Sequence, residues 1–299
     1  MVRRVEIKQR RRITLFGIIN MFFLLLFGVV VLLPVMQVVA KAFSGEGPVV
    51  AGLVYFWPVG FQISTVLHVL RKPEFLSSFQ VSVFVTIVGT IIAMFLTVTA
   101  AYPLSKVKLK GRKILLYIFV FVMLFNAGMV PNYMLFRTLN LTNTIWALVF
   151  SGTFSVYNMF ITKNYFESIP ESIEEAALID GASNMQTLVQ IVLPMSLPVL
   201  ATITLFYGVG FWNNYMSGVL YITKPSLKPL QQYLFDLVTE ALNMVDETGN
   251  IRDIDSAMNL TGESVRSATL VVSTVPILLL YPFLQKYFVK GITIGSVKG

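Results

Sequence analysis

The sequence predicts an all-α integral membrane protein with six transmembrane helices and both termini in the cytoplasm. Three observations carry this. The 299 residues are 56% hydrophobic and only 13% charged, and mean hydropathy is positive; a soluble domain carries about a quarter charged residues. The apolar residues fall in runs long enough to cross ~30 Å of hydrocarbon as helix. The basic residues gather at alternate ends of those runs, as in membrane proteins whose cytoplasmic loops are positive.

Residues 1–12 form a basic cytoplasmic N-terminus with Arg3, Arg4, Lys8, Arg10, Arg11 and Arg12. The first span is placed at 13–40; its uncharged core, Ile13 to Leu33, exceeds the 7–15 apolar residues of a signal-peptide core and is read as uncleaved. Residues 41–79 are the first external segment, with a short amphipathic piece at Ser64–Leu70. A five-helix core follows over 80–290.

The second span runs from Gln80 to Ser105, and its Gly89, Thr90, Ala93 and Ala101 favour close helix packing in lipid. Lys106, Lys108, Lys110, Arg112 and Lys113 make a dense cytoplasmic turn. The third span is Ile114 to Phe136. Its outer half carries Asn126, Gly128, Pro131 and Asn132, a composition tolerated at membrane depth only against protein or a water-filled cavity. The fourth is Leu141 to Thr162. The fifth, Met195 to Ile222, ends in Trp212-Asn213-Asn214-Tyr215. Residues 223–266 are a second, acidic external loop, in which 229–245 reads as an amphipathic helix that docks an external protein or lies on the lipid surface. The sixth span is Ala268 to Gln285, and 291–299 is a cytoplasmic tail. On this topology cytoplasmic segments hold about 15 Lys and Arg against about 6 Asp and Glu, and external ones about 8 against about 9.

Between the fourth and fifth spans lies the cytoplasmic loop 168–194. Ser168 and Glu171 have capping-box spacing and Pro170 suits a first turn. Glu171, Glu174 and Glu175 sit where the helix dipole favours carboxylates. Ala176 and Ala177 leave a closely approachable surface, and Gly181 suits a left-handed C-terminal position. Met185 to Leu193 resumes a helical pattern before Pro194. The expectation is a short helix, a stop and a second helix across the cytoplasmic end of the bundle.

No catalytic constellation is present: there is no HExxH, Walker A loop, GxSxG or CxxC. With no cysteine there is no disulfide or thiolate chemistry, and His68, the only histidine, reads as an ordinary loop residue. The spans contain no Asp, Glu, Lys or Arg of the kind that ion-driven carriers use. The net charge of +8 belongs to topology rather than to nucleic acid.

The spacing Glu175-Ala176-Ala177, three residues, Gly181, nine residues, Ile191, one residue, Leu193-Pro194 resembles the EAA loop of ABC-type import permeases. From about Phe79 onward the chain resembles the permease subunits of carbohydrate-uptake importers, at Ala101-Tyr102-Pro103-Leu104-Ser105, Met129-Val130-Pro131, Asn143 through Leu148, Ile173 through Ser183 and Phe211-Trp212-Asn213. The end, Gly291 through Gly299, is similar to that of the maltose-type partner. The subgroup it looks most like imports oligosaccharides, some of them acidic, of uronate or alginate type.

The resemblance implies a type I importer transmembrane domain in a bacterial cytoplasmic membrane, with a second related permease, two ATPases and an external solute-binding protein as partners. It implies no cofactor in this chain; ATP and magnesium bind the ATPases. It places ATPase coupling on Glu174, Glu175, Ala176, Ala177, Asp180, Gly181, Ile191, Leu193 and Pro194, and an ATPase-contacting tail on Gly291, Thr293, Gly295, Val297, Lys298 and Gly299. Sugar sites combine aromatic faces with amides, which nominates Asn126, Asn132, Trp212, Asn213, Asn214 and Tyr215 for the pathway. The alternatives are a permease for a non-sugar solute, and a channel or scaffold.

Overall fold

A computed structural model describes residues 15–125, 127–243, 262–276 and 278–279. These residues are helices and connecting turns, with no strand among them. In chain order the helices are α1 (Leu15–Ala42), α2 (Glu46–Val50), α3 (Ser64–Arg71), α4 (Pro73–Ser105), α5 (Arg112–Leu124), α6 (Met129–Thr138), α7 (Ile145–Phe150), α8 (Val156–Glu167), α9 (Glu171–Ile179), α10 (Asn184–Thr187), α11 (Leu193–Met195), α12 (Leu197–Trp212), α13 (Tyr215–Tyr221), α14 (Leu230–Asn243) and α15 (263–276).

The centre of the fold is α4, on which α12, α8, α7, α14 and α3 all pack. It begins at Pro73, ahead of the expected Gln80, because Pro73 fills a first-turn position where a missing N–H is harmless and Glu74 suits the helix dipole. Its inward face, Val85, Gly89, Ala93, Thr97 and Ala101, is small and buried. That lets Phe211 of α12 wedge against Gly89, and lets the Tyr207 hydroxyl meet Thr97 Oγ1 at 2.7 Å. The same hydroxyl accepts a bond from the Ser155 N–H at 3.0 Å, tying α4, α12 and the start of α8 together. By contrast α1 exposes apolar side chains nearly all round and buries only Ala40 and Ala42 at its end.

Among the described residues, only α1 and α4 are long and apolar enough to cross a membrane unbroken; two bent pairs pass the same test when each is taken as one span. The expected continuous third span is α5 and α6, which meet at 110°; Gly128 stands at φ +86° before α6. The expected fourth span is broken at 151–155 into α7 and α8. The expected fifth is α12 and α13, interrupted at Asn213-Asn214, whose side chain at 214 caps α13. Of the expected sixth span, 268–276 and 278–279 are helical; 277 and 280–285 lie outside the described residues, as do 1–14 and 291–299.

Helix α14 forms within the stretch the amphipathic pattern marked, and the described part of its apolar face packs inward. Leu230, Leu234 and Leu237 are buried, and Leu230 and Leu234 pack with Phe75 of α4, Trp212 and Ala268.

Candidate coupling and pathway sites

The 168–194 loop opens differently from the capping-box expectation. Ser168 ends α8, and its hydroxyl donates to the Tyr165 carbonyl at 2.7 Å. Pro170 biases Ile169 away from helical geometry, so α9 starts after Pro170 and no side chain caps it. A capping box does form one helix later: Ser183 Oγ accepts from the Gln186 N–H and the Gln186 side chain from the Ser183 N–H. The stop between the helices is a Schellman turn. Ala182 N–H bonds the Ala177 carbonyl at 2.9 Å and Gly181 N–H the Leu178 carbonyl at 3.1 Å, with Gly181 at φ +85°.

The helix lies on the bundle by one face. Ala177 is buried, and Ile173, partly buried, packs against the cluster of Ala101, Leu104, Phe166, Ile169, Leu188 and Val192. Outward along the opposite stripe stand Ser172, Glu175, Ala176 and Ile179, the last 86% exposed; Leu178, Asp180 and Gly181 are exposed too. The expected second helix is one turn of α10, a π-turn over Leu188–Val192 and α11. Ile191 lies in the π-turn and is partly buried, Leu193 packs inward and Pro194 is exposed. At Ser196 the chain then bends by 84° into α12.

The basic turn after α4 closes on the acidic edge of this loop. Lys106 pairs with Glu174, and Lys108 reaches Glu171 at 2.9 Å and Glu175 at 3.3 Å. Arg112 pairs with Glu167, which also takes Lys163 at 2.7 Å, and Arg112 Nε donates to the Leu104 carbonyl at 2.8 Å. The two carboxylates around Lys108, Glu171 first and Glu175 second, hold its ammonium above the ordinary lysine range. A cleft of about 780 Å³ runs between the turn and the loop, lined by Tyr102, Lys106, Arg112, Glu171, Glu174 and Leu178 among others. The Lys106–Glu174 and Lys108–Glu175 pairs join residues 68 and 67 positions apart, and only the opposite signs of the two segments hinted at them.

The structure brings together part of the pathway set. Trp212 is buried, 6% exposed, with its ring edge-on to Phe79 at 5.9 Å between centroids; it sits inside the packing rather than at an open surface. Asn213 Oδ1 takes a bond from Gln231 at 3.4 Å, Asn214 Nδ2 reaches Ser151 Oγ at 3.4 Å, and the Tyr215 ring meets Phe235 at 4.7 Å. These three gather the α12–α13 break, the 151–155 break and α14. Asn132 is exposed on α6, one residue before Tyr133, which stacks on Tyr221 of α13. Asn126 and the tail residues lie outside the described residues.

A residue to which the sequence reading gave no role of its own closes the far end. Asn143, at φ +59°, accepts from Thr223 N–H at 2.7 Å, Thr223 Oγ1 at 2.8 Å and Lys224 N–H at 3.1 Å. Its own N–H bonds the Tyr221 carbonyl at 2.8 Å. A left-handed asparagine beside a helix start was the available signal.

A family model described as "Binding-protein-dependent transport system inner membrane component" matches residues 82–294. The chain is 38% identical over 285 residues to the polygalacturonan/rhamnogalacturonan transport system permease protein YtcP of Bacillus subtilis, covering 95% of this chain and 99% of that protein. It is 39% identical over 284 residues to protein LplC of the same organism, covering 95% of each. Among solved structures it matches a chain of a bacterial ABC transporter involved in the import of the acidic polysaccharide alginate. That match has a TM-score of 0.84 and 33% identity, and it covers 93% of this chain and 98% of that one. A chain of the alginate transporter in complex with an alginate pentasaccharide-bound periplasmic protein shares the fold, at TM-score 0.55 and 14% identity.

Proposed function

The chain belongs to the family of binding-protein-dependent transport system inner membrane components, and from that premise we propose that it is the permease subunit of an ATP-driven importer of an acidic oligosaccharide. The observation that carries the reading is the match, over nearly the whole of both chains, to the alginate importer chain at 33% identity. The name of YtcP points to the same kind of cargo, since polygalacturonan is also a polymer of acidic sugars.

The chain is one half of a translocation pathway and not an enzyme. A related second permease completes the pathway, two ATPases bind ATP and magnesium, and an external binding protein delivers the sugar. Six spans in a bacterial cytoplasmic membrane, with both termini inside, account for the charge bias of the loops. The contact of the 106–113 turn with the 168–194 loop supports putting those two segments on one side. The broken segments over 112–138, 145–167 and 197–221 complete the count with α1, α4 and the 263–279 region.

In this reading the outward stripe of α9, from Glu175 and Ala176 to Asp180 and Gly181, meets the ATPase. The turn through Ile191, Leu193 and Pro194 carries its displacement into α12, and the tail Gly291–Gly299 reaches the ATPase pair. ATP closes the ATPases, the loop moves with them, and the bundle changes the side to which it opens. The sugar passes by the amides and rings around the helix breaks: Asn126, Asn132, Asn213, Asn214 and Tyr215, with Trp212 behind them fixing the end of α12.

The test is mild-detergent purification from native membranes followed by mass spectrometry and uptake in proteoliposomes. The expected result is a second permease and a Walker-motif ATPase in near-equal amounts, with ATP-dependent uptake of an oligogalacturonide or alginate oligosaccharide delivered by the binding protein. Recovery of the chain alone overturns the importer reading. Uptake of only a neutral sugar overturns the acidic cargo.

A further inference from the structure

Three of the four carboxylates of the 168–194 loop, Glu171, Glu174 and Glu175, are engaged within the chain, and they are not engaged equally. Lys108 and its partners are open to water: the side chains of Lys108, Glu171 and Glu175 are 77%, 68% and 54% exposed. Such pairs contribute little and are screened by salt. Lys106 and Glu174 are 33% and 13% exposed. Lys106 directly follows the last residue of α4, and its ammonium lies 4.4 Å from the centre of the Tyr102 ring. The Lys106 ammonium is therefore held by the carboxylate on one side and the ring on the other, in a site less open to water than that of Lys108.

The neighbouring pairs make a rigid base for this contact. Arg112 joins the start of α5 to the Leu104 carbonyl of α4 and to Glu167 of α8, and Lys163, 7% exposed, closes that group. The inner ends of α4, α5 and α8 are thus fixed to one another. The coupling helix itself is fixed to them more thinly. Its apolar anchors are only Ile173 and Ala177, and toward α12 it leads through the glycine turn at Gly181 and a π-turn. A π-turn is a local irregularity in the helical ladder, of the kind that often marks functional sites.

We propose that Lys106 and Glu174 form a latch that makes α9 and the inner end of α4 move as one lever. Lys106 and Glu174 are positioning residues: they deliver to α4 a displacement that the Gly181 turn and the π-turn would otherwise absorb. The carboxylate of Glu174 then faces its own bundle, and the part of α9 left for the ATPase is the Ser172–Glu175–Ala176–Ile179 stripe. This rests on the permease reading above.

The absence of cysteine from the chain makes the latch directly testable. In the assembled transporter reconstituted in proteoliposomes, Lys106→Cys with Glu174→Cys removes both charges, and a short bis-maleimide replaces the ion pair by a covalent bridge. The readout is oligogalacturonide imported per ATP hydrolysed. Without the bridge the ratio is expected to fall by about fivefold or more, the lower end of the range for coupling between sites. With the bridge it should return to near the wild-type value. The charge swap Lys106→Glu with Glu174→Lys should recover at least half of what either single change loses.

An unbridged variant with full coupling, a bridged one that is arrested, or a swap no better than the single changes each overturns the latch. A bridged protein is folded by its own control, since each variant is compared with itself before and after bridging. A wild-type complex that neither hydrolyses ATP nor imports overturns the permease reading itself, and the latch with it.

Discussion

The ring of Phe211 stands where a side chain on Gly89 would have to go: a Cβ at position 89 would fall 2.7 Å from Phe211 Cζ. The same ring meets Gly152, where a Cβ would lie 3.0 Å from Cε1. One glycine on α4 and one in the 151–155 break thus receive the Phe211 ring of α12. Gly89→Ala should destabilise the bundle by about 1–2 kcal/mol, the overpacking cost exceeding the gain in helix propensity. Gly208→Ala, whose Cβ would meet Thr90 Oγ1 at 3.8 Å, should be neutral or slightly stabilising. Thermal unfolding in detergent checks both. In a Phe211→Leu background the penalty at position 89 should disappear; if it persists, the ring is not its cause.

Asn143 offers one side-chain oxygen to three donors on the 223–224 segment. Asn143→Ala removes all three bonds and puts alanine at a left-handed φ, for an expected loss of about 1–2 kcal/mol. Asn143→Asp keeps the acceptor and tolerates the same backbone, so it should stay near wild type. Equal losses for the two would mean that the hydrogen bonds do not hold the segment.

Gly181 occupies the one position of the Schellman turn that requires positive φ. Alanine there should cost about 1–2 kcal/mol and leave coupling reduced but present. Proline can neither reach φ +85° nor donate the bond to Leu178, and should uncouple uptake from ATP hydrolysis. Wild-type uptake by a well-expressed Gly181→Pro chain would count against the turn as a necessary part.

The exposed clasp at Lys108 makes a prediction about pH and salt. Its raised pKa means that the pair's contribution is complete below the ordinary lysine range and is lost as pH rises through the folded value. Amide exchange over residues 171–179 should therefore be unaffected by pairing between about pH 6 and pH 9 and should speed up above about pH 10.5. Raising salt to about 1 M should loosen the Lys108 contacts at neutral pH, while the half-buried Lys106–Glu174 pair persists. A clasp that opens as pH falls toward neutral would contradict the sign.

Local chemistry made some of this legible. Gly181 could be placed in its turn because only glycine reaches that conformation freely, and α14 was drawn by a 3.6-residue period that the fold preserves. Ser168 misled because a capping-box spacing is indifferent to Ile169, which Pro170 withholds from the helix. Trp212 misled for a different reason. In α12, apolar on every side, nothing in the order of residues says which face meets α4, so a ring beside two asparagines reads alike whether buried or open. The helix breaks at 151–155 and 213–214 were invisible to hydropathy, because runs of apolar residues average over them. Contacts such as Lys106 with Glu174 depend on the three-dimensional path of the chain and could only be seen once it was known.

The contrast between the unbroken α4 and the jointed segments around it bears on how the protein is made. A continuous helix satisfies its own backbone and can enter lipid alone, as α1 and α4 can. The break at Asn213-Asn214 satisfies much of its own backbone, but the one at 151–155 leaves the Ser155 N–H to the Tyr207 hydroxyl of α12, which itself stands on α4 through Thr97. Biogenesis thus has an order at that break: α4, with α12 upon it, must be in place before the 145–167 segment is satisfied throughout. A chain truncated after residue 105 should insert stably with two spans. One lacking 73–105 should be retained by membrane quality control, and its stable insertion would refute the order.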